Sequence, residues 1–221
     1  MPQTAINYSD PKYLCFADAG YWANYNQIIL SGNQPFSFFE HEYQQAILSE
    51  NPQKQCIKKA AQLGFTEIFV LRTLHGMRYQ RYPAGALYLF PTQDDVTDFS
   101  KGRFQPLLAD NPEAIGRFIK DTDAANIKRI GKSMLYFRGA RATGKIEGIK
   151  KTSSKLKTIP VDLINYDEFD EMDPDMVDLA SERIGHSKIR EENKISTPSI
   201  PDWGIDREYQ LTDQQIWIIR C

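Results

Sequence analysis

The sequence lacks any run of about 18 consecutive apolar residues, which excludes a membrane-spanning helix. It also lacks the basic-then-apolar opening of a secretion signal, since the first residues read MPQTAINYSDPKY. Cysteine is scarce. Cys15, Cys56 and Cys221 stand far apart, so reduced thiols in a cytoplasm-like compartment are expected rather than a disulfide framework. There is no surplus of positive charge either. Lys plus Arg number 27 against 29 Asp plus Glu, a net −2, so any contact with nucleic acid has to rest on local patches. Repeats and low-complexity tracts are absent. His41, His75 and His186 fall apart in predicted helices and receive no catalytic role.

What is present is a globular composition, 41% hydrophobic and 25% charged, over a length sufficient for one sizeable core. Aromatic and aliphatic residues over 12–31 fit a helix ending at Gly32, and a second helix is expected from about Glu40. A short strand, QCIKK, leads into a loop and then a helix from about Phe65 to Tyr79 with a broad apolar face. GALYLFPT is a strand closed by Pro91, followed by helical material with Thr92 as its N-cap. NIKRI and SMLYFRG, separated by Gly131-Lys132, read as a hairpin. IPVDLINYDEF is an apolar strand ending in acids, a helix is expected over about 174–185, and NKISTPS is one more strand. The closing QQIWIIRC looks like the start of a strand cut short, as in a fragment of a longer protein. Strands alternating with helices, several of them apolar on both faces, predict an α/β domain with a mainly parallel central sheet. Ligands then gather at the C-terminal strand ends.

The segment QCIKKAAQLGFTEIF raises the question of chemistry. A phosphate-binding loop reads G-x-x-x-x-G-K-[ST], and here the eight positions are Lys59, Ala60, Ala61, Gln62, Leu63, Gly64, Phe65 and Thr66. Gly64 and Thr66 are in register; the first glycine is Lys59 and the usual lysine is Phe65. Because such a loop wraps around its anion, a lysine at its first position could reach the same phosphates. The alternative is an ordinary strand-to-helix turn with a surface lysine. About a hundred residues downstream, Asp167 and Glu168 end an apolar strand, where nucleotide hydrolysis needs a Mg²⁺-linked carboxylate and a water-polarising glutamate. The alternative there is a solvated acidic turn. The two features together favour nucleotide hydrolysis.

In order and wording these motifs resemble the ATPase half of the large terminase subunit of tailed bacteriophages, nearest the lambda-type branch, whose members carry a deviant loop with its lysine at the start. LYLFPTQDDVTDFSKGRFQPLL is similar to the strand and helix after the loop, INYDEFDEM resembles the Walker B segment, and STPSIPDWGIDREY resembles the coupling segment; the likeness spans roughly residues 35–221. The resemblance implies a P-loop NTPase (ASCE/RecA-like) three-layer sandwich over 35–221, with a helical extension over 1–34. It implies phosphate contact from Lys59 through Thr66, Mg²⁺ held by Thr66 and Asp167, Glu168 as the catalytic carboxylate, and Ser196, Thr197 and Pro198 as coupling residues. Tyr43 and Gln44 match the pair beside the adenine. Arg138, Arg141 and Lys145 are offered for the transition-state arginine or its substitute, with Arg141 the choice. Lysines 145, 150, 151, 155 and 157 form a local basic run that could face DNA or simply be a solvated loop.

The function implied is an ATP-hydrolysing, Mg²⁺-dependent motor that packages double-stranded DNA in the cytoplasm of an infected bacterial host. Its implied partners are the terminase small subunit and the portal of the procapsid, and it would work as a homo-oligomeric ring. The family's nuclease domain is not expected within these residues, and a lone Cys221 supports no zinc site. Two alternatives stand beside this: a helicase-like DNA translocase, and a non-catalytic nucleic-acid or capsid adaptor that kept the fold, for which Phe65 in the lysine position is the main argument.

Overall fold

The computed structural model describes residues 9–30, 33–120, 124–141, 156 and 159–218. Its centre is a sheet built from β1 (Lys54–Lys58), β2 (Ala86–Phe90), β3 (Ile119–Lys120), β4 (Ile127–Ile130), β5 (Ser133–Gly139), β6 (Leu163–Asp167) and β7 (Glu191–Ser196), in the order β1-β7-β6-β2-β5-β4-β3. The first five in that order are parallel, while β4 and β3 add on antiparallel at one edge. β2 and β6 are buried at every residue, as continuous apolar strands in a covered parallel sheet must be. The expected hairpin is β4–β5, turned at Gly131, whose φ of 60° suits glycine.

The period-2 alternation of the strands divides the core into two clusters, one on each face. On one face Tyr88, Phe137, Leu163 and Ile195 meet helices α1 (Pro11–Ala17), α2 (Ala19–Tyr25), α3 (Tyr43–Ser49), α4 (Phe65–Arg78), α5 (Gln93–Phe99) and α6 (Gln105–Asp110). On the other, Leu87, Leu89, Ile164 and Tyr166 meet Met176 and Ala180 of α7 (Pro174–Ser181). Helix, sheet and helix make the three-layer α/β sandwich that the resemblance implied, around the mainly parallel sheet that the alternation predicted. A last helix, α8 (Gly204–Gln210), is tied to β1 by a Lys58–Asp206 ion pair of 2.9 Å.

Two helical stretches depart from the sequence reading. The helix expected over 12–31 is broken at Asp18, which adopts an extended backbone and caps α2 by accepting the Tyr21 N–H. A short acid that bonds the backbone three residues on competes with helix continuation, which is why the apolar spacing alone did not reveal the break. The helix after β2 begins as expected, with Thr92 and Asp95 exchanging hydrogen bonds in a capping box. It then widens into a π turn at Ser100–Phe104 before α6. Pro106 has no N–H to give to the carbonyl four residues back, and its ring crowds that carbonyl; a widened turn relieves both. His41 and His186 lie just outside helices, and only His75, on α4, is within one.

Candidate active site at the sheet's C-terminal edge

Because β1, β7 and β6 are parallel and adjacent, their C-terminal ends open on one edge of the sheet. The loop Lys59–Gly64 leaves β1 there, Ser196–Pro198 leaves β7, and Asp167–Glu168 leaves β6. The loop is a tight turn with Gln62 at φ 61° and Gly64 at φ 74°. Left-handed residues in such a turn point successive N–H groups into one concavity, a form that suits an anion, and Gly64 opens directly into α4, whose N-terminus adds to it. A side chain at Gly64 would be strained at that φ and would meet the Gln44 amide at 3.0 Å.

Lys59 is not a surface lysine. Its side chain is 6% exposed, its N–H donates to the Ser196 carbonyl at 3.0 Å, and its Nζ lies 2.8 Å from Glu168 Oε1. The buried cation therefore reaches from the first position of the loop to the acidic strand end. Lys58, one residue earlier, points to the opposite side of the strand and pairs with Asp206. Phe65, where a lysine would ordinarily stand, is 6% exposed in the core under α3, with its ring 5.7 Å from that of Tyr43.

Glu168 holds a left-handed backbone, φ 57° and ψ 55°, which for a non-glycine residue costs of order 1–3 kcal/mol and is typical of functional turns. Its other oxygen, Oε2, is approached at 3.4–3.5 Å by the Thr197 N–H and the Ser196 hydroxyl. Asp167 is almost fully buried. Its Oδ2 accepts from the Tyr88 hydroxyl at 3.2 Å, whereas Oδ1 has no hydrogen-bond partner. Burial pushes the Asp167 carboxyl up to about 6, with the Glu168 charge adding to the rise, while the Thr66 and Tyr88 hydroxyls and Lys59 oppose it. A buried carboxylate oxygen without a partner, next to a threonine hydroxyl, is a donor set suited to a hard divalent cation.

These groups line a cleft of about 940 Å³ running from the loop across to Pro91, Asp95, Asp98 and Arg103, with Glu171 at its rim. Tyr43 and Gln44 lie behind the loop: both donate to the Leu63 carbonyl, at 3.0 and 2.9 Å, and so brace its backbone. Arg141 is exposed, 3.6 Å from Glu171 at the cleft rim. Arg138 is turned inward and spends its Nη1 on the Asn126 and Phe137 carbonyls, so it is not free to serve a substrate. Lys145 and the rest of the basic run, together with Cys221, lie outside the described residues. Sequence reasoning passed over Asp95, Asp98 and Arg103, which only the course of α5 and the π turn brings to the cleft. Among the described residues no group of three or more metal-binding side chains is gathered, and no helix is long and apolar enough to cross a membrane.

Comparison with known proteins bears on the fold and the family. The HK97 bacteriophage large terminase superimposes with a TM-score of 0.64 at 13% identity, over 85% of this chain and 40% of that one. The Thermus phage P74-26 large terminase ATPase domain does so with a TM-score of 0.50 at 15% identity, over 88% of this chain and 71% of that one. At such identities the likeness establishes the fold alone. This chain spans well under half the length of the HK97 protein. No curated protein matches the sequence. The family model for the ATPase domain of phage terminase large subunit gpA matches residues 34–221, and the chain belongs to that family.

Proposed function

We propose that the chain binds and hydrolyses MgATP as the motor domain of a terminase large subunit, driving double-stranded viral DNA into a procapsid. The observation that carries this reading is the Lys59–Glu168 pair: the displaced lysine is buried at the loop's first position and meets the acidic strand end at 2.8 Å over an open cleft. A lysine on a mere strand-to-helix turn would lie in solvent.

In this reading the loop from Lys59 to Thr66 receives the phosphates through its backbone N–H groups from Ala60 onward, the Lys59 N–H being held by the Ser196 carbonyl, with the Lys59 side chain supplying the positive charge that Phe65 does not. Thr66 and Asp167 would hold Mg²⁺, which when bound neutralises phosphate charge. Glu168 orients and polarises the attacking water, and it becomes free to do so when Lys59 turns to the phosphates. Tyr43 and Gln44 set the loop from behind and border the base. Ser196, Thr197 and Pro198 sense the change through Glu168. Arg141, at the rim, is the candidate to meet the developing charge, in its own subunit or in a neighbour of a homo-oligomeric ring. DNA, a small subunit, a portal and the host cytoplasm complete the assignment, which rests on the family.

Steady-state phosphate release with and without double-stranded DNA, alongside titration of a fluorescent ATP analogue, tests the reading. Saturable Mg²⁺-dependent binding with turnover is expected. Absence of any nucleotide binding would instead support a non-catalytic adaptor that retained the fold.

A further inference from the structure

Asp170 sits in the 3-10 turn Phe169–Glu171 that follows Glu168, and it is 9% exposed. Its carboxylate faces away from the cleft and accepts three hydrogen bonds, all from the segment after β7. Oδ2 takes the Ser199 N–H at 2.9 Å and the Ser199 hydroxyl at 2.8 Å, and Oδ1 takes the Ile205 N–H at 2.6 Å. Its own N–H donates to the Ser196 hydroxyl at 3.1 Å. The chain closes so tightly over this carboxylate that a Cβ at Gly204, φ 54°, would fall 2.3 Å from Asp170 Oδ1. Ile205, the next residue, is fully buried. From there α8 is fixed to the loop strand by Lys58–Asp206 and to β7 by a Lys194–Glu208 pair of 2.8 Å.

Resting on the ATPase reading above, we propose that Asp170 is the positioning residue that carries the state of the nucleotide site to the Ser199–Gln210 segment. The physical argument is one of a short rigid lever. Glu168 is held in a left-handed conformation and bonded to Lys59. When phosphates draw Lys59 away, Glu168, where the turn begins, loses its ion pair, and its side chain keeps only its contacts with Ser196 and Thr197, which lead into the segment it moves with. Asp170 is two residues further on in the same turn, and its carboxylate is bonded to both ends of the loop from Ser199 to Ile205. A shift of the turn therefore moves that loop and the start of α8 as a unit. Trp203, 42% exposed in the middle of the loop, moves with it. An aspartate serving only as a structural cap would hold the loop equally with and without nucleotide.

Amide hydrogen exchange of the whole chain, with and without the slowly hydrolysed analogue MgATPγS, distinguishes the two roles. In the unaltered protein, nucleotide is expected to change exchange across Ser199–Gln210. In Asp170→Asn, exchange at Ser199 and Ile205 without nucleotide should be about tenfold faster, because weakened acceptors release their amides. MgATPγS affinity should stay within about twofold, the site being separate, yet the nucleotide-dependent change should vanish. Gly204→Ala, which presses on the same carboxylate from the opposite side, should also abolish the response and serves if the first variant does not fold. A response of Ser199–Gln210 that persists in either variant overturns the proposal, as does no response in an unaltered protein that binds MgATPγS. An unaltered protein that binds no nucleotide would overturn the ATPase reading itself, and that outcome is separately visible in the titration.

Discussion

β7 carries a buried charged cluster near each of its ends, and the two are built differently. At its start Glu191 is 3% exposed and saturated: Arg81 donates to it through Nε and Nη2, the Tyr82 hydroxyl donates at 2.6 Å, and Arg72 lies 3.9 Å away. At its other end the strand meets Lys59, Glu168 and Asp167. There one carboxylate oxygen of Asp167 is without a partner, and the Glu168 side chain is 39% exposed to the cleft and in a left-handed turn. A cluster that only stabilises the fold surrounds its acid with donors. The cluster at the cleft has an acceptor unfilled and a cation–carboxylate pair bordering open space, which is what a ligand site would require. Neither buried charge nor orphaned atoms alone separate the two ends, since Arg72 Nε and Nη2 also lack hydrogen-bond partners beside Glu191; what separates them is an acid whose oxygens are all taken against one with an unfilled oxygen at an open cleft.

Substitutions at the two ends should therefore fail in different ways. Glu168→Gln should lower turnover about a thousandfold while MgATP still binds, measured by phosphate release beside equilibrium titration. Glu191→Gln, leaving buried Arg72 underpaired and half-exposed Arg81 without its carboxylate, should cost about 3 kcal/mol of stability. That corresponds to roughly 6–12 °C in melting temperature, with nucleotide affinity unchanged once folded. Lys59→Ala should weaken nucleotide binding about a hundredfold with little effect on melting, the reverse of Glu191→Gln. Asp167, raised to about 6, is ionised and able to hold Mg²⁺ above that pH and protonated below it. The Mg²⁺-dependent part of nucleotide affinity should thus fall about tenfold per pH unit below about 6, followed by titration in matched buffers. Lys58→Ala, which removes a partly exposed pair to Asp206 and a contact over the Tyr209 ring, both on α8 and away from the cleft, should change nucleotide affinity less than about twofold.

Much of the fold was legible because local signals agreed with the tertiary outcome. The apolar runs of β2 and β6, the Thr92 cap and the Gly131 turn each state their own geometry. The parts that were not legible depend on contacts far along the chain or on competition within it. Asp18 breaks a helix by satisfying a backbone N–H, and Pro106 widens one by lacking its own. In the site, Lys59 and Glu168 could be named from their motifs. Their contact could not, because it depends on β7 bringing the ends of β1 and β6 onto one edge. Arg138 and Arg141 were both candidates in sequence, with Arg141 preferred. Only the outward turn of the chain after β5 leaves Arg141 at the cleft rim while Arg138 is spent on carbonyls. Asp170 read as one more charge in an acidic run until its three donors were seen to come from one distant loop.

The central claim is that the lysine at the first loop position serves the phosphates. A structure of the chain with MgATPγS tests it most directly. The account predicts Lys59 Nζ withdrawn from Glu168 and in contact with the terminal phosphates, with Phe65 still buried beneath the loop. Nucleotide bound in the cleft with Lys59 still paired to Glu168, or with Lys58 on the phosphates instead, would contradict it.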